Sequence, residues 1–434
     1  MKTYESWGRY PKASHAGILT PDDLADGLPP GEASLLPFGE GRSYGDVCLN
    51  DGGFLLDTAA LSRILHFDPE RGLLRCEAGL TLEQVLDVIV PAGWFVPVTP
   101  GTRYVTIGGC IANDIHGKNH VRAGTFGRYV RRRALRRSSG DRLLCSPTEH
   151  ADLFCATIGG LGLTGLIEWA EIELKPITSP FIDVTVQRFD GLKGYFALVE
   201  AAGEGFEHEV AWIDGFARGK HRGRGVLTLG NHAEAPTGAL PRRRKPLAPF
   251  WSRLMAPALW PWSVGLFNTF YYHIQPTAPR SRKIPYDVFF YPLDRVARWN
   301  RLYGQRGFIQ YQCVVPKAEA YEVLNEVLAR CAEAGHAPYL GVLKMMGSLS
   351  SPGMLSFPRP GVTLALDIPF RGPRTLALLE YLDTLVRTAE GAVYPAKDAR
   401  MSAENFQAFF PAWETFAEHI DPRFSSSFWR RVSA

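Results

Sequence analysis

The chain begins as short apolar runs broken by glycine turns. Leu35-Leu36-Pro37-Phe38 runs into Gly39-Glu40-Gly41-Arg42-Ser43-Tyr44-Gly45-Asp46, Phe54-Leu55-Leu56-Asp57 repeats the pattern, and Arg75-Cys76-Glu77 ends at Ala78-Gly79. Runs this short, bounded by residues that accept tight turns, predict strands. The period then changes. Leu82, Val85, Leu86 and Ile89 recur at helical spacing, which predicts an amphipathic helix. Thr81 and Gln84 form a capping box, Leu80 and Val85 supply the hydrophobic staple, and Pro91 with Gly93 stop it.

Glycines crowd from Gly101 to Gly127 and again around Gly159-Gly160-Leu161-Gly162-Leu163-Thr164-Gly165. From about Ile177 the texture is different. Strand-like runs (Phe181–Val186, Gly225–Leu229, Phe308–Val315) alternate with helical ones such as Lys317–Ala334, the signature of an α+β arrangement. Two domains are expected: residues 1–177 completed by 392–434, and 178–391. The second carries a basic, tryptophan-rich insert at 241–283. A helical tail is expected from Ser402, with Phe406, Phe409, Phe410 and Trp413 at helical spacing.

Composition narrows the class. The 434 residues are 46% hydrophobic and 21% charged, enough to bury a real core. A net charge of +4 makes no case for a nucleic-acid partner. The seven cysteines form no CxxC pair and no Cys/His metal spacing, so they read as buried hydrophobes in a reducing compartment. The N-terminal residues contain no apolar leader-like run. The longest uncharged stretch, Leu254 to Pro279, holds Pro257, Pro261, Pro276 and Pro279, a density that argues against a spanning helix. These features fit a cytoplasmic chain.

Three glycine-rich stretches, 39–45, 101–109 and 159–165, stand out chemically. Glycine lets a main chain approach a pyrophosphate closely. None of the three is a GxGxxG fingerprint set between a strand and a helix, and none is a Walker loop, yet three in one region suggest a dinucleotide. His116 and His120 lie four apart beside Asp114. The intervening Gly117 and the lack of a third ligand cluster favour a hydrogen-bonding His116 over a metal site. Gln310 and Gln312 share one face of a strand, which suits a polyhydroxylated ligand or a plain solvent face. Arg128 to Arg137 contains six arginines, read as an exposed strand face, with an anion or lipid contact as the alternative. Arg242, Arg243, Arg244 and Lys245 precede Phe250, Trp251, Trp260, Trp262, Phe267, Phe270, Tyr271 and Tyr272, the mixture found where a segment lies on a membrane surface.

The ordered strings Gly41-Arg42-Ser43-Tyr44-Gly45-Asp46, Pro100-Gly101-Thr102-Arg103, Ile107-Gly108-Gly109, Asp114-Ile115-His116-Gly117-Lys118-Asn119-His120, Ile158-Gly159-Gly160 and Tyr394-Pro395-Ala396-Lys397-Asp398 go further. They resemble the vanillyl-alcohol-oxidase superfamily and, within it, the decaprenylphosphoryl-ribose 2′-oxidase family. The resemblance implies a two-domain fold with an FAD-binding domain and a substrate domain built on a central antiparallel sheet. It implies FAD held by Gly39, Gly41, Arg42, Ser43, Tyr44, Gly45, Gly101, Thr106, Ile107, Gly108, Gly109, Asn113, His116, Ile167 and Tyr394. Lys118, Trp212, Gln310, Gln312, Lys344 and Lys397 would line the substrate pocket, with Lys397 and His116 catalytic.

The implied reaction is oxidation of a sugar hydroxyl, the 2-hydroxyl of a polyprenyl-phosphoryl pentose, followed by a separate NAD(P)H-dependent short-chain reductase. The insert would touch the inner membrane face. An oxidase of a soluble sugar, alditol or aminoglycoside-type metabolite, and a non-enzymatic flavin subunit, are the alternatives. Two departures matter. Arg42 occupies the position where many superfamily members tether flavin through histidine, so the FAD is expected to be non-covalent. Ala365 and Thr363 stand where the family's mycobacterial enzyme has a cysteine and an asparagine, which leaves the details of sugar recognition open.

Overall fold

In the computed structural model, residues 2–23, 33–234, 247 and 260–434 are described. The first 177 residues build two main sheets. Gly17–Leu19, Phe54–Asp57 and Leu35–Phe38 pair in parallel, in that order. Ile64–Asp68, Leu73–Glu77, Leu166–Glu173, Val130–Arg136 and Arg142–Cys145 form a five-stranded antiparallel sheet. The predicted helix is there as Leu82–Ile89. The Thr81 backbone N–H donates to Gln84 Oε1 at 2.9 Å, and Leu82, Val85, Leu86 and Ile89 are all fully buried. Each such side chain contributes about 1.5–3 kcal/mol, and Leu86→Ala would cost roughly 2–5 kcal/mol.

The remainder is organised by an eight-stranded antiparallel sheet. Its order is Arg280–Pro285, Phe181–Phe189, Gly225–His232, His208–Ile213, Leu340–Met346, Gly361–Pro369, Phe308–Val315, Ala392–Val393. Side chains alternate across a strand. Ile309, Tyr311, Cys313 and Val315 therefore join one core with Leu324, Val327 and Leu328 of the Ala320–Glu333 helix and Leu379 and Leu382 of Pro373–Thr388. Gln310 and Gln312 are left on the opposite face.

Two expectations change in the structure. The arginine run is not simply an exposed strand face. Arg131 and Arg132 pair with Glu173 and Glu171, Arg137 with Asp421, and Arg133 is wholly buried with its guanidinium over the Phe154 ring. The tail is not one helix but Ala403–Phe409, Trp413–Ala417 and Ser427–Val432. Pro411 denies the first of these a backbone donor for its continuation. In the insert, Arg242, Arg243, Arg244, Lys245, Phe250 and Trp251 lie outside the described residues. Pro261–His273 is a helix with Pro261 at its first position. No described helix is long and apolar enough to cross a membrane.

Candidate active site

The polar face of the large sheet makes one wall of a deep cleft. Strand register decides which residues share it. Gln310 lies opposite Asp367 and Gln312 opposite Ala365, while Leu340, Val342 and Lys344 lie opposite Asp367, Ala365 and Thr363. Of these, Gln310, Gln312, Leu340, Val342, Lys344, Thr363 and Ala365 line the cleft, about 1840 Å³ with its mouth. Its interior without the open mouth holds about 310 Å³, within the ~300–1,000 Å³ usual for a ligand site.

The glycine stretches form the opposite wall. Gly39, Gly41, Arg42, Ser43, Tyr44, Gly101, Thr106, Gly108, Gly109, Asn113, His116, Gly162, Gly165, Ile167 and Tyr394 all face the same space. A side chain at Gly101 would meet no atom within 4 Å, so this backbone borders open cleft. Gly45 serves a different purpose: a β-carbon there would fall 1.5 Å from the Asp398 carbonyl oxygen. The first glycine loop thus packs directly on the turn bearing Lys397, and the Tyr44 N–H donates to the Ala396 carbonyl at 2.9 Å.

His116 sits at the centre of a polar chain. The Gln312 amide nitrogen lies 3.0 Å from its Nε2 and donates to Thr363 Oγ1 at 3.1 Å, and Thr363 Oγ1 donates to the Cys313 carbonyl at 2.8 Å. Lys344 Nζ is 3.2 Å from His116 Nδ1. Burial, then the positive charges of Lys344, His120 and Lys397, hold the imidazole well below its ordinary pKa, so it is neutral at pH 7. Burial also pulls Lys344 down to about 8, against the attraction of Glu209. The loop is tied down by buried Asp114, which accepts from the Gly127 N–H at 2.8 Å and Ser356 Oγ at 2.6 Å. His120 is turned away and accepts from the Gly347 N–H. Among the described residues no group of three or more His, Cys, Asp or Glu could hold a metal.

Lys397 lies in a short turn after the last sheet strand, with Nζ 3.6 Å from the centroid of the Tyr44 ring. Its neighbour Asp398 does not pair with it. Asp398 is held by Arg431 at 2.9 Å and by the Met401 N–H at 3.0 Å. Tyr394 stacks on Phe357 at 4.6 Å and donates to the Asn113 carbonyl.

The other expected residues lie outside the cleft wall. Ile107 is a fully buried core residue. Lys118 donates to the Phe290 carbonyl at 2.9 Å beside the Phe289 and Phe290 rings, where burial brings it down to about 7. Trp212 pairs across the strands with Val342 and packs edge-on against Tyr271 at 4.9 Å. Conversely, Trp7, Trp299, Leu340 and Val342 line the cleft without having been singled out, and Thr363 had been marked only as a departure from the family. The strand alternation that marked Gln310 and Gln312 would have marked Leu340, Val342 and Thr363 as well. Trp7 left no local signal. It comes from the N-terminal segment, whose backbone bridges Ser43 and Phe308, and it stacks under the Arg42 guanidinium at 4.1 Å.

The cleft suits a dinucleotide on its own terms. Arg42 Nε and Asn113 Oδ1 are buried polar atoms without a protein partner, a costly condition unless a ligand completes them. Residues 31–146 match the family described as an FAD binding domain. The chain is 35% identical over 419 residues to the decaprenylphosphoryl-beta-D-ribose oxidase of Mycolicibacterium smegmatis, covering 93% of this chain and 90% of that one. It is 33% identical over 374 residues to a Streptomyces coelicolor protein known as "uncharacterized protein in mprA 5′region", covering 81% of this chain and all of that one. A rat delta(24)-sterol reductase is 30% identical over 181 residues, 42% of this chain and 32% of the other. With its glycine-walled cleft and a match along nearly its whole length, the chain belongs to the decaprenylphosphoryl-ribose oxidase family of FAD-linked oxidases and is an FAD-dependent oxidoreductase acting on CH–OH groups.

Proposed function

We propose that the chain oxidises a secondary sugar hydroxyl to a ketone, the 2-hydroxyl of a polyprenyl-phosphoryl pentose, as the first half of an epimerisation completed by a separate NAD(P)H-dependent short-chain reductase. The observation that carries this reading is the convergence of Gln310, Gln312, Lys344 and Lys397 on one side of the glycine-walled cleft. Amides and ammonium groups at that density suit a ligand rich in hydroxyls. Bound FAD supplies the hydride acceptor. Lys397 places positive charge beside the cofactor. The neutral His116, with Lys344 against its Nδ1, receives the hydroxyl proton. On a proposed two-domain division at 177 and 392, these groups would lie at the junction of the cofactor and substrate regions.

The lipid part of the proposal rests on the helix Pro261–His273. Trp262, Leu266, Phe270 and Ile274 recur every fourth residue and are 58–72% exposed, as is the neighbouring Phe267 at 63%. Phe267 stacks on Tyr271, and Tyr271 packs on Trp212, the strand partner of the cleft residue Val342. An apolar surface that leads toward the cleft fits a substrate with a lipid tail and a peripheral position at a membrane face.

Anaerobic flavin bleaching is the test. A short polyprenyl-phosphoryl pentose should reduce the flavin, and the free pentose should not. Equal bleaching by both would favour the soluble-sugar alternative, and bleaching by neither would overturn the reading.

A further inference from the structure

The reaction gives the N-terminal segment no part, yet the fold brings it to the cleft. Trp7 lines the same space as Arg42, and its ring lies 4.1 Å from the Arg42 guanidinium carbon. Contacts from two sides fix it there. The Trp7 N–H donates to the Ser43 carbonyl at 2.7 Å, and the Gly8 N–H donates to the Tyr44 carbonyl at 3.1 Å. From the large sheet and the turn before it, the Phe308 N–H donates to the Gly8 carbonyl at 2.9 Å, and Asn300 Nδ2 to the Trp7 carbonyl at 2.9 Å. The indole packs edge-on against Trp299 with the rings 5.6 Å apart. Trp7 and Gly8 therefore strap the first glycine loop to the large sheet, and the strap sets the indole face under Arg42.

Arg42 has little else to hold it. Among the described residues no ion pair or hydrogen bond engages its guanidinium, and its Nε is buried without a partner. Its acidic neighbours are occupied elsewhere: Glu40 lies 3.9 Å from Lys2, and Asp294 accepts from the Arg103 N–H at 3.0 Å. The second ring near it, Tyr104 at 5.4 Å, is shared with Arg103, which lies over it at 5.2 Å and donates to its hydroxyl at 3.2 Å. A guanidinium seated on a ring face commits none of its N–H donors, so the whole fork stays available to a ligand. Without the ring, a long flexible side chain would be ordered only by the ligand itself, at a cost in affinity.

We propose that Trp7 is a positioning residue that acts through Arg42: its strapped indole face holds the guanidinium ready in the cleft for FAD, so that cofactor affinity depends on the N-terminal segment. This rests on Arg42 facing the cofactor and not on the identity of the sugar.

Equilibrium dialysis of the holoenzyme against a series of FAD concentrations tests this without turnover. Trp7→Leu, which keeps apolar bulk but no ring, should bind FAD roughly 3–30-fold more weakly, the range of a partly desolvated cation–π contact. Trp7→Phe keeps a ring face and should stay within about threefold of wild type. In an Arg42→Gln background, Trp7→Leu should weaken binding no further, because the group it acts through is gone. A strap that merely supported the fold would show the same loss in both backgrounds, and that result would overturn the proposal. Wild-type affinity in Trp7→Leu would overturn it too. If Trp7→Leu does not fold, Trp7→Phe carries the test, and a loss well beyond about threefold there overturns the proposal. Arg42→Gln that binds FAD as tightly as wild type would refute the role of Arg42 and this proposal with it. Failure of the lipid-linked pentose to bleach wild type would instead refute the sugar assignment and leave the dialysis result standing.

Discussion

Arg431 is where the C-terminal helix Ser427–Val432 grips the turn that carries Lys397, so Arg431→Met should weaken the fold and, on the proposed role of Lys397, the chemistry. Its guanidinium donates to Asp46 Oδ1 at 2.7 Å and Oδ2 at 3.1 Å, and to Asp398 Oδ2 at 2.9 Å. Both carboxylates are 3% exposed. After the substitution Asp398 keeps Arg400 at 3.8 Å and two backbone N–H donors. Asp46 loses the only ion-pair partner it has among the described residues. Removing one partner of a buried pair costs about 3–5 kcal/mol. The Arg431 side chain is 25% exposed, which puts the expectation at the low end, about 3 kcal/mol. Spread over a cooperative unit of this size, that lowers the thermal midpoint by roughly 3–6 °C. The same change frees the Tyr394–Asp398 turn. A displacement of Lys397 near 1 Å would slow flavin reduction by roughly 10–100-fold. Differential scanning calorimetry and stopped-flow reduction read the two effects. Adding Asp46→Asn should recover part of the stability, since the orphaned charge is then gone. A single variant that melts and reduces like wild type would refute this account of the clamp.

Other consequences are equally direct. Lys397→Ala should retain FAD and lose most flavin reduction if the cleft-lining lysine has its proposed role; stopped-flow absorbance decides, and near-normal reduction would contradict the assignment. Acid or heat should release intact FAD, since Arg42 offers no tether; flavin that stays with the precipitated polypeptide would refute this. Nitroaromatic compounds should leave no adduct by intact-mass measurement, because Ala365 has no thiol and burial pushes the Cys48 thiol at the cleft up to about 12. Replacing Trp262, Leu266 and Phe270 with serine should weaken binding to anionic vesicles in flotation assays with no loss of FAD; unchanged flotation would remove the membrane role.

Much of this protein can be read along the chain because the controlling forces are local. The capping box at Thr81 and the stripe behind it need only helical spacing. The alternation of Phe308–Val315 puts Gln310 and Gln312 on one face whatever the strand pairs with. The glycine stretches announce close backbone approach, and the ordered strings around them identify the family. The tertiary structure had to decide the rest, because it depends on residues distant in sequence. Gly45 is glycine because the Asp398 carbonyl arrives there from the far end of the chain. Arg133 looks like its neighbours in the arginine run, yet packing buries it over the Phe154 ring while Arg131 and Arg132 meet Glu173 and Glu171. Lys118 shares a motif with His116 but turns toward the Phe290 carbonyl, outside the cleft wall. Asp367 acquires its surroundings only from the register that sets it against Gln310. Sequence spacing fixes which way a side chain points from its own backbone; only the packed sheets and loops determine what it meets there.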